Sequence, residues 1–170
     1  VNVSVLQLMQ ADFTERVLRL LSSTGTSPGD LVLEITESVL IESFEENAEQ
    51  LRTLYEAGIH IALDDFGTGY SSLTYLQRLP IQMLKIDKSF IDGIRSADDS
   101  TSHTGSIIAL AREWGFQVVA EGVEREEQRA YLKRNQCDLA QGYLMSRPIP
   151  AEEALAYLKA AYGMDGSVKP

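Results

Sequence analysis

The stretch IALDDFGTGYSSL, residues 61–73, decides how this chain is read. Ile61, Ala62 and Leu63 have the apolar look of a core strand, and they deliver two adjacent acids, Asp64 and Asp65. A glycine-punctuated loop with hydroxyl side chains follows, Phe66 to Ser72. Core strands seldom end in two carboxylates without a positive partner, because an unpaired buried charge is costly. Hard divalent cations, which take oxygen ligands, are one such partner. An Asp before a turn also caps loops and helices, so the pair needs support from the rest of the chain.

Apolar, β-branched runs like this one recur. They begin near Val1 (VNVSV), Leu31 (LVLEIT), Ile59 (IHIALD), Met83 (MLKID), Val118 (VVAEG) and Leu139 (LAQGYL). Helical patterns lie between them at Phe13 to Leu21, Phe44 to Ala57, Ser72 to Arg78, Gly105 to Trp114, Arg125 to Arg134 and Ala151 to Tyr162. Six strands in 170 residues is about 28 residues per unit, close to the roughly 30 of a βαβ unit. Runs apolar on both faces point to a parallel sheet covered by helices, either doubly wound or a (β/α) barrel. A closed eight-unit barrel takes at least about 200 residues. The chain therefore predicts an α/β fold with about six strand-helix units, an open sheet or most of a barrel.

Strand parity puts residues i and i+2 on one face. On that reading Asn2, Glu34, Asp64, Lys85, Glu121 and Gln141 each sit near one end of their strand, in five of six the C-terminal half. Active sites of parallel α/β folds lie at those ends. Glu34, Asp64, Asp65 and Glu121 supply four carboxylates, and Asn2 a neutral oxygen. This all-oxygen set suits Mg²⁺ or Mn²⁺ better than zinc. Four acids stay ionised together only with cations between them. Two metals would clamp the attacking and leaving oxygens of a phosphoryl displacement. Lys85 would add positive charge near a phosphate or a water, or else serve as a structural partner of Asp87 or of a carboxylate. Glu37 and Glu124, three residues beyond candidate ligands, are placed to orient loops or to face solvent. Gln141 can bond a ligand or satisfy backbone at a strand end.

Bulk composition narrows the function. The net charge of −10 disfavours DNA or RNA binding, which relies on Lys and Arg at phosphates. Cys137 alone permits no intrachain disulfide, and with His60 and His103 it argues against a Cys/His zinc site. There is no apolar run near 18 residues and no signal-peptide pattern. A start inside an apolar segment at Val1 reads as an excerpt from a longer polypeptide.

The residues VNVS (1–4), LEITES (33–38), ALDDFGTGYSSL (62–73), LKID (84–87), VVAEGVE (118–124) and AQGYLMSRP (140–148) resemble the EAL-domain family. These are bacterial phosphodiesterases that open cyclic di-GMP to linear pGpG. Order and spacing agree from Val1 to about Leu158. The resemblance implies a TIM-type (β/α) barrel over residues 1–162, incomplete here, with a frayed tail at 163–170. It also implies that Asn2, Glu34 and Asp64 ligate one Mg²⁺ or Mn²⁺, that Asp64 and Asp65 reach a second, and that Glu121 joins the cluster. Lys85 resembles the catalytic lysine that orients or deprotonates the attacking water. Glu37 matches a glutamate that steadies the DDFGTGYSS loop, which includes Thr68, and Glu124 and Gln141 match further active-site positions.

The family's naming Glu-Ala-Leu segment belongs on an early strand upstream of VNVS, and this chain shows none. Glu153-Ala154-Leu155 spells it, but in the last helix after every other motif. The expectation is an active longer protein and an inactive 170-residue piece, in which metal binds weakly or not at all and free strand edges favour oligomers. Expected partners are cyclic di-GMP, a second copy through the DDFGTGYSS region, and an upstream sensory or GGDEF domain. The expected location is the bacterial cytoplasm, with a membrane anchor possible through other domains. A non-catalytic cyclic di-GMP sensor is the alternative.

Overall fold

Six parallel strands form one sheet in the order β1-β2-β3-β4-β5-β6, so each strand pairs with its neighbours in sequence. The strands are β1 (Asn2–Val3), β2 (Val32–Thr36), β3 (His60–Phe66), β4 (Met83–Ile86), β5 (Gln117–Ala120) and β6 (Leu139–Ala140). This computed structural model describes residues 1–37, 44–67, 76 and 78–162. Sequential order with helical crossovers is the winding of a (β/α) barrel wall, with β1 and β6 as its two edges among the described residues.

Helices α1 (Val5–Leu8), α2 (Phe13–Thr24), α3 (Phe44–Glu56), α4 (Lys88–Asp92), α5 (Thr104–Glu113), α6 (Glu126–Arg134) and α7 (Ala151–Tyr162) surround the strands. The expected helices over 13–21, 44–57, 105–114, 125–134 and 151–162 match these within a few residues. The expected helix at 72–78 and the tail 163–170 lie essentially outside the described residues. Two short helices, α1 and α4, were not expected. Neither is long enough to be stable alone, so each depends on its cap and its tertiary packing. Ser4 Oγ accepts from Gln7 N–H (3.3 Å) while Gln7 Oε1 accepts from Ser4 N–H (3.1 Å), closing a capping box. Asp87 ends the run after β4 by accepting from Ser89 N–H (3.0 Å).

Register divides each strand between two layers. Ile35, Leu63, Leu84 and Val118 are successive cross-strand partners, all at most 3% exposed, and they belong to the main apolar cluster. Helix residues Leu51, Leu54, Ile91, Ile108 and Leu132 join that cluster. Each such side chain contributes about 1.5–3 kcal/mol on burial. The other face carries the register line Asn2, Glu34, Ala62, Met83, and two residues further along it come Asp64 and Lys85. Among the described residues no helix is long and apolar enough to cross a membrane.

Candidate functional site

Lys85 is the hub of the polar face. Its Nζ lies 3.0 Å from Glu34 Oε2, 3.0 Å from Asp64 Oδ1 and 2.8 Å from Glu121 Oε1. The side chain is only 7% exposed and its three partners 13–24%. Burial alone pulls an ammonium toward the neutral form. Here the hydrogen bonds to Glu121, Asp64 and Glu34 outweigh it and raise the Lys85 pKa above its ordinary value. Strands β2, β3 and β4 and the residue directly after β5 each send one charged group to this point.

One feature of β3 makes the double acid usable. In a regular strand neighbouring side chains point to opposite faces, so Asp64 and Asp65 could not share a site. The pairing runs Leu63 with Leu84 but Phe66 with Ile86, so β3 holds one residue more than β4 across this step. Asp65 takes up the extra residue with a left-handed φ of 55°. Ligand oxygens of Asp64, Asp65 and Glu121 consequently lie within 4.8 Å of one another. Burial, then the Asp64 charge, raises the Asp65 pKa. No parity rule could foresee this; the only signal in the sequence is two acids directly before Phe-Gly.

Just beyond the bulge, Gly67 N–H donates to Glu37 Oε1 (2.8 Å). Gly67 has φ +97°, and a Cβ there would lie 2.5 Å from the Phe90 ring, so a side chain is excluded on two counts. Glu37 is buried, and its Oε2 has no hydrogen-bond partner among the described residues. Glu37 thus holds the start of the loop that Asp64 and Asp65 introduce.

The remaining candidates stand further out. Asn2 pairs with Glu34 in register, but its side chain is exposed at the sheet edge. Glu124 turns to Lys88, whose Nζ lies 3.0 Å from Glu124 Oε1 and 2.9 Å from Asp92 Oδ1. Gln141 is exposed, with its backbone engaged: its N–H donates to Ala120 O (2.8 Å) and its C=O accepts from Val123 N–H (3.0 Å). Thr68 lies outside the described residues. Lys88 was missed by the sequence reading, although its spacing to Asp92 is a helical i, i+4 pair.

The charges define what fits the cluster. Glu34, Asp64 and Glu121 against one ammonium leave two negative charges over, and Asp65 adds a third. The donors are all carboxylate oxygens, converging at the C-terminal end of a parallel sheet. That is a chemistry for hard divalent cations and not for thiophilic ones. Asp64, Asp65 and Glu121 are the group whose spacing suits a shared ion.

A parallel α/β wall with an acidic, lysine-centred rim is an arrangement suited to divalent cations. The sequence narrows it: the EAL domain family profile matches residues 1–148, and the chain belongs to that family. Cyclic di-GMP phosphodiesterase NbdA of Pseudomonas aeruginosa is 41% identical over 160 residues, 94% of this chain and 20% of NbdA. The chain thus spans about a fifth of the length of such curated relatives. The solved PaMucR phosphodiesterase complex with c-di-GMP superposes with a TM-score of 0.83 at 42% identity, covering 91% of this chain and 62% of that one. The Klebsiella pneumoniae BlrP1 manganese/cy-diGMP complex gives 0.75 at 32% identity, over 86% of this chain and 38% of that one. A calcium complex of the same protein is also similar. These relatives fit the expected TIM-type wall. The six-stranded sheet described here is not closed.

Proposed function

We propose that these residues form most of the catalytic rim of a cyclic di-GMP phosphodiesterase. The observation that carries this is Lys85 within 3.0 Å of three carboxylates, from β2, β3 and the residue directly after β5, with Asp65 alongside. Asn2, Glu34, Asp64, Asp65 and Glu121 would hold two Mg²⁺ or Mn²⁺ ions. Such ions supply Lewis-acid polarisation of the phosphate and a nucleophilic water at neutral pH. Two divalent ions would turn a cluster of net charge about −3 into one of about +1, a match for a phosphodiester.

The chain's own groups do the rest. Lys85, held as an ammonium, donates hydrogen bonds to the attacking water or to a phosphate oxygen as charge builds there. Glu121 accepts the water's proton. Water adds to phosphorus and the bond to the 3′ oxygen breaks, so the linear product pGpG keeps a 5′ phosphate. The leaving oxygen takes a proton from solvent. Glu37 keeps Asp64 and Asp65 in place through Gly67, while the family resemblance supports a substrate-contacting or loop-orienting role for Glu124, Gln141 and Thr68.

The family resemblance alone supports a second copy docking through the DDFGTGYSS segment, whose residues 68–72 lie outside the described ones. An accompanying cyclase (GGDEF) domain accords with relatives such as MucR, named as a bifunctional diguanylate cyclase/cyclic di-GMP phosphodiesterase, and the family resemblance alone supports a cytoplasmic setting. Incubating the full-length protein with cyclic di-GMP and Mn²⁺, and resolving products by chromatography, tests the reading. The expected result is pGpG, absent in Lys85→Met. Binding with Ca²⁺ but no pGpG at any enzyme level would replace it with the sensor reading. Absence of both would sink it.

A further inference from the structure

The loop that carries Glu121 is anchored by a residue that makes no hydrogen bond to the four acids of the cluster. Gln128, in the first turn of α6, is 1% exposed. Its Oε1 accepts from Glu124 N–H (2.8 Å) and Arg125 N–H (2.9 Å), and its Nε2 donates to the Ile91 carbonyl (3.0 Å). Glu124 and Arg125 close the loop that opens at Glu121. Ile91 lies in α4, the helix that follows Lys85 and Asp87. A single buried amide therefore ties the segments after β4 and β5 together, behind the two side chains that meet at 2.8 Å.

Other contacts span the same gap: Glu121 N–H donates to the Ile86 carbonyl (3.1 Å), which fixes the first residue of the loop, while the side-chain contacts further along it are more exposed. Lys88 bridges Asp92 and Glu124 at about half exposure on every side, and such pairs contribute little. Arg125 donates to the carbonyls of Asp92 (3.2 Å) and Ile94 (2.7 Å) from an exposed position. Gln128 has no water to take its place. Without its amide, two N–H groups and one carbonyl at the loop junction lose their partner in a dry site, and the loop must shift to satisfy them.

We propose that Gln128 is a positioning residue that sets Glu121 against Lys85, and so the cation-holding acids, by fixing the β5–α6 loop onto α4. Only the kinetic part of its test rests on the phosphodiesterase reading. Full-length wild type, Gln128→Met, Gln128→Glu and Leu132→Ala are compared by Mn²⁺ calorimetry without substrate, by kcat and KM for cyclic di-GMP, and by thermal melting. Leu132 is buried in the same helix and controls for loss of packing alone.

Gln128→Met is expected to weaken Mn²⁺ binding and lower kcat by about tenfold to a hundredfold, the scale seen when groups orienting metal ligands are removed, with KM within about twofold. Gln128→Glu keeps two accepting contacts and loses less, by about threefold to tenfold. Leu132→Ala keeps wild-type affinity and kcat despite an equal or larger fall in Tm. Wild-type values in Gln128→Met, or equal losses in Leu132→Ala, would overturn the inference. If Gln128→Met does not fold, wild-type affinity and kcat in Gln128→Glu overturn it instead. A wild type that makes no pGpG removes the phosphodiesterase reading and leaves the Mn²⁺ comparison to decide this one.

Discussion

The middle strands and the edge strands of this sheet carry the same kind of residue to the same face, with different results. Glu34, Asp64 and Lys85 lie in β2 to β4 and Glu121 directly follows β5, strands each paired on both sides, and the three carboxylates meet within 3.0 Å of one ammonium. Asn2 lies in β1 and Gln141 directly follows β6, two-residue strands with one neighbour each among the described residues, and both side chains are exposed. A strand held on both sides fixes its side chains to within a fraction of an ångström, whereas an edge strand fixes only its backbone. Catalytic geometry tolerates little more than that. Among the described residues the core of the site is thus built by the inner strands of the wall.

The largest effect should fall on the hub. Lys85→Met in the full-length protein is expected to lower kcat for cyclic di-GMP by about 10²–10⁴-fold. A variant within tenfold of wild type would show that the convergence on Lys85 is structural and not catalytic.

The β6 side offers a probe of edge order. Burial pushes the Cys137 thiol up to about 11, from an ordinary 9.0. Since only the thiolate reacts, alkylation at pH 8 should be about a hundredfold slower than for a free cysteine, and should accelerate as pH rises toward 11. Rates near those of free cysteine would mean that the edge opens and that the contrast between wall and edge is larger than drawn here.

A smaller effect is expected at the start of the loop. Gly67→Ala must hold a positive φ and displace Phe90, costing about 2 kcal/mol, read as a fall of roughly 4–8 °C in Tm. An unchanged melting temperature would show that the Glu37 and Phe90 contacts do not constrain this loop. Smallest of all, Gln141→Ala should change kcat/KM by less than about tenfold. A loss as large as that of Lys85→Met would break the comparison, since it would place an edge residue on equal terms with the hub.

Much of this was legible in advance. Short apolar runs marked all six strands, and parity put six polar residues on one face, because both signals are local and repeat along the chain. The short helices α1 and α4 were not legible. Each depends on a cap, Ser4 or Asp87, and on packing that forms only when the strands are in place. Glu124 was read as orienting a loop or facing solvent, and it stands half-exposed against Lys88, a partner 36 residues away that no local pattern names.

Asp64 and Asp65 show where local information stops. Chemistry left the pair open between cation ligands and turn caps, and the other acids at the same strand ends turned the reading toward cations. The family motifs around them are equally a property of the sequence. That both acids can face one point was decided by the tertiary structure. Pairing with β4 leaves β3 one residue too long, and Asp65 absorbs the excess in a left-handed turn. Register is a relation between two strands, and no stretch of one chain segment contains it.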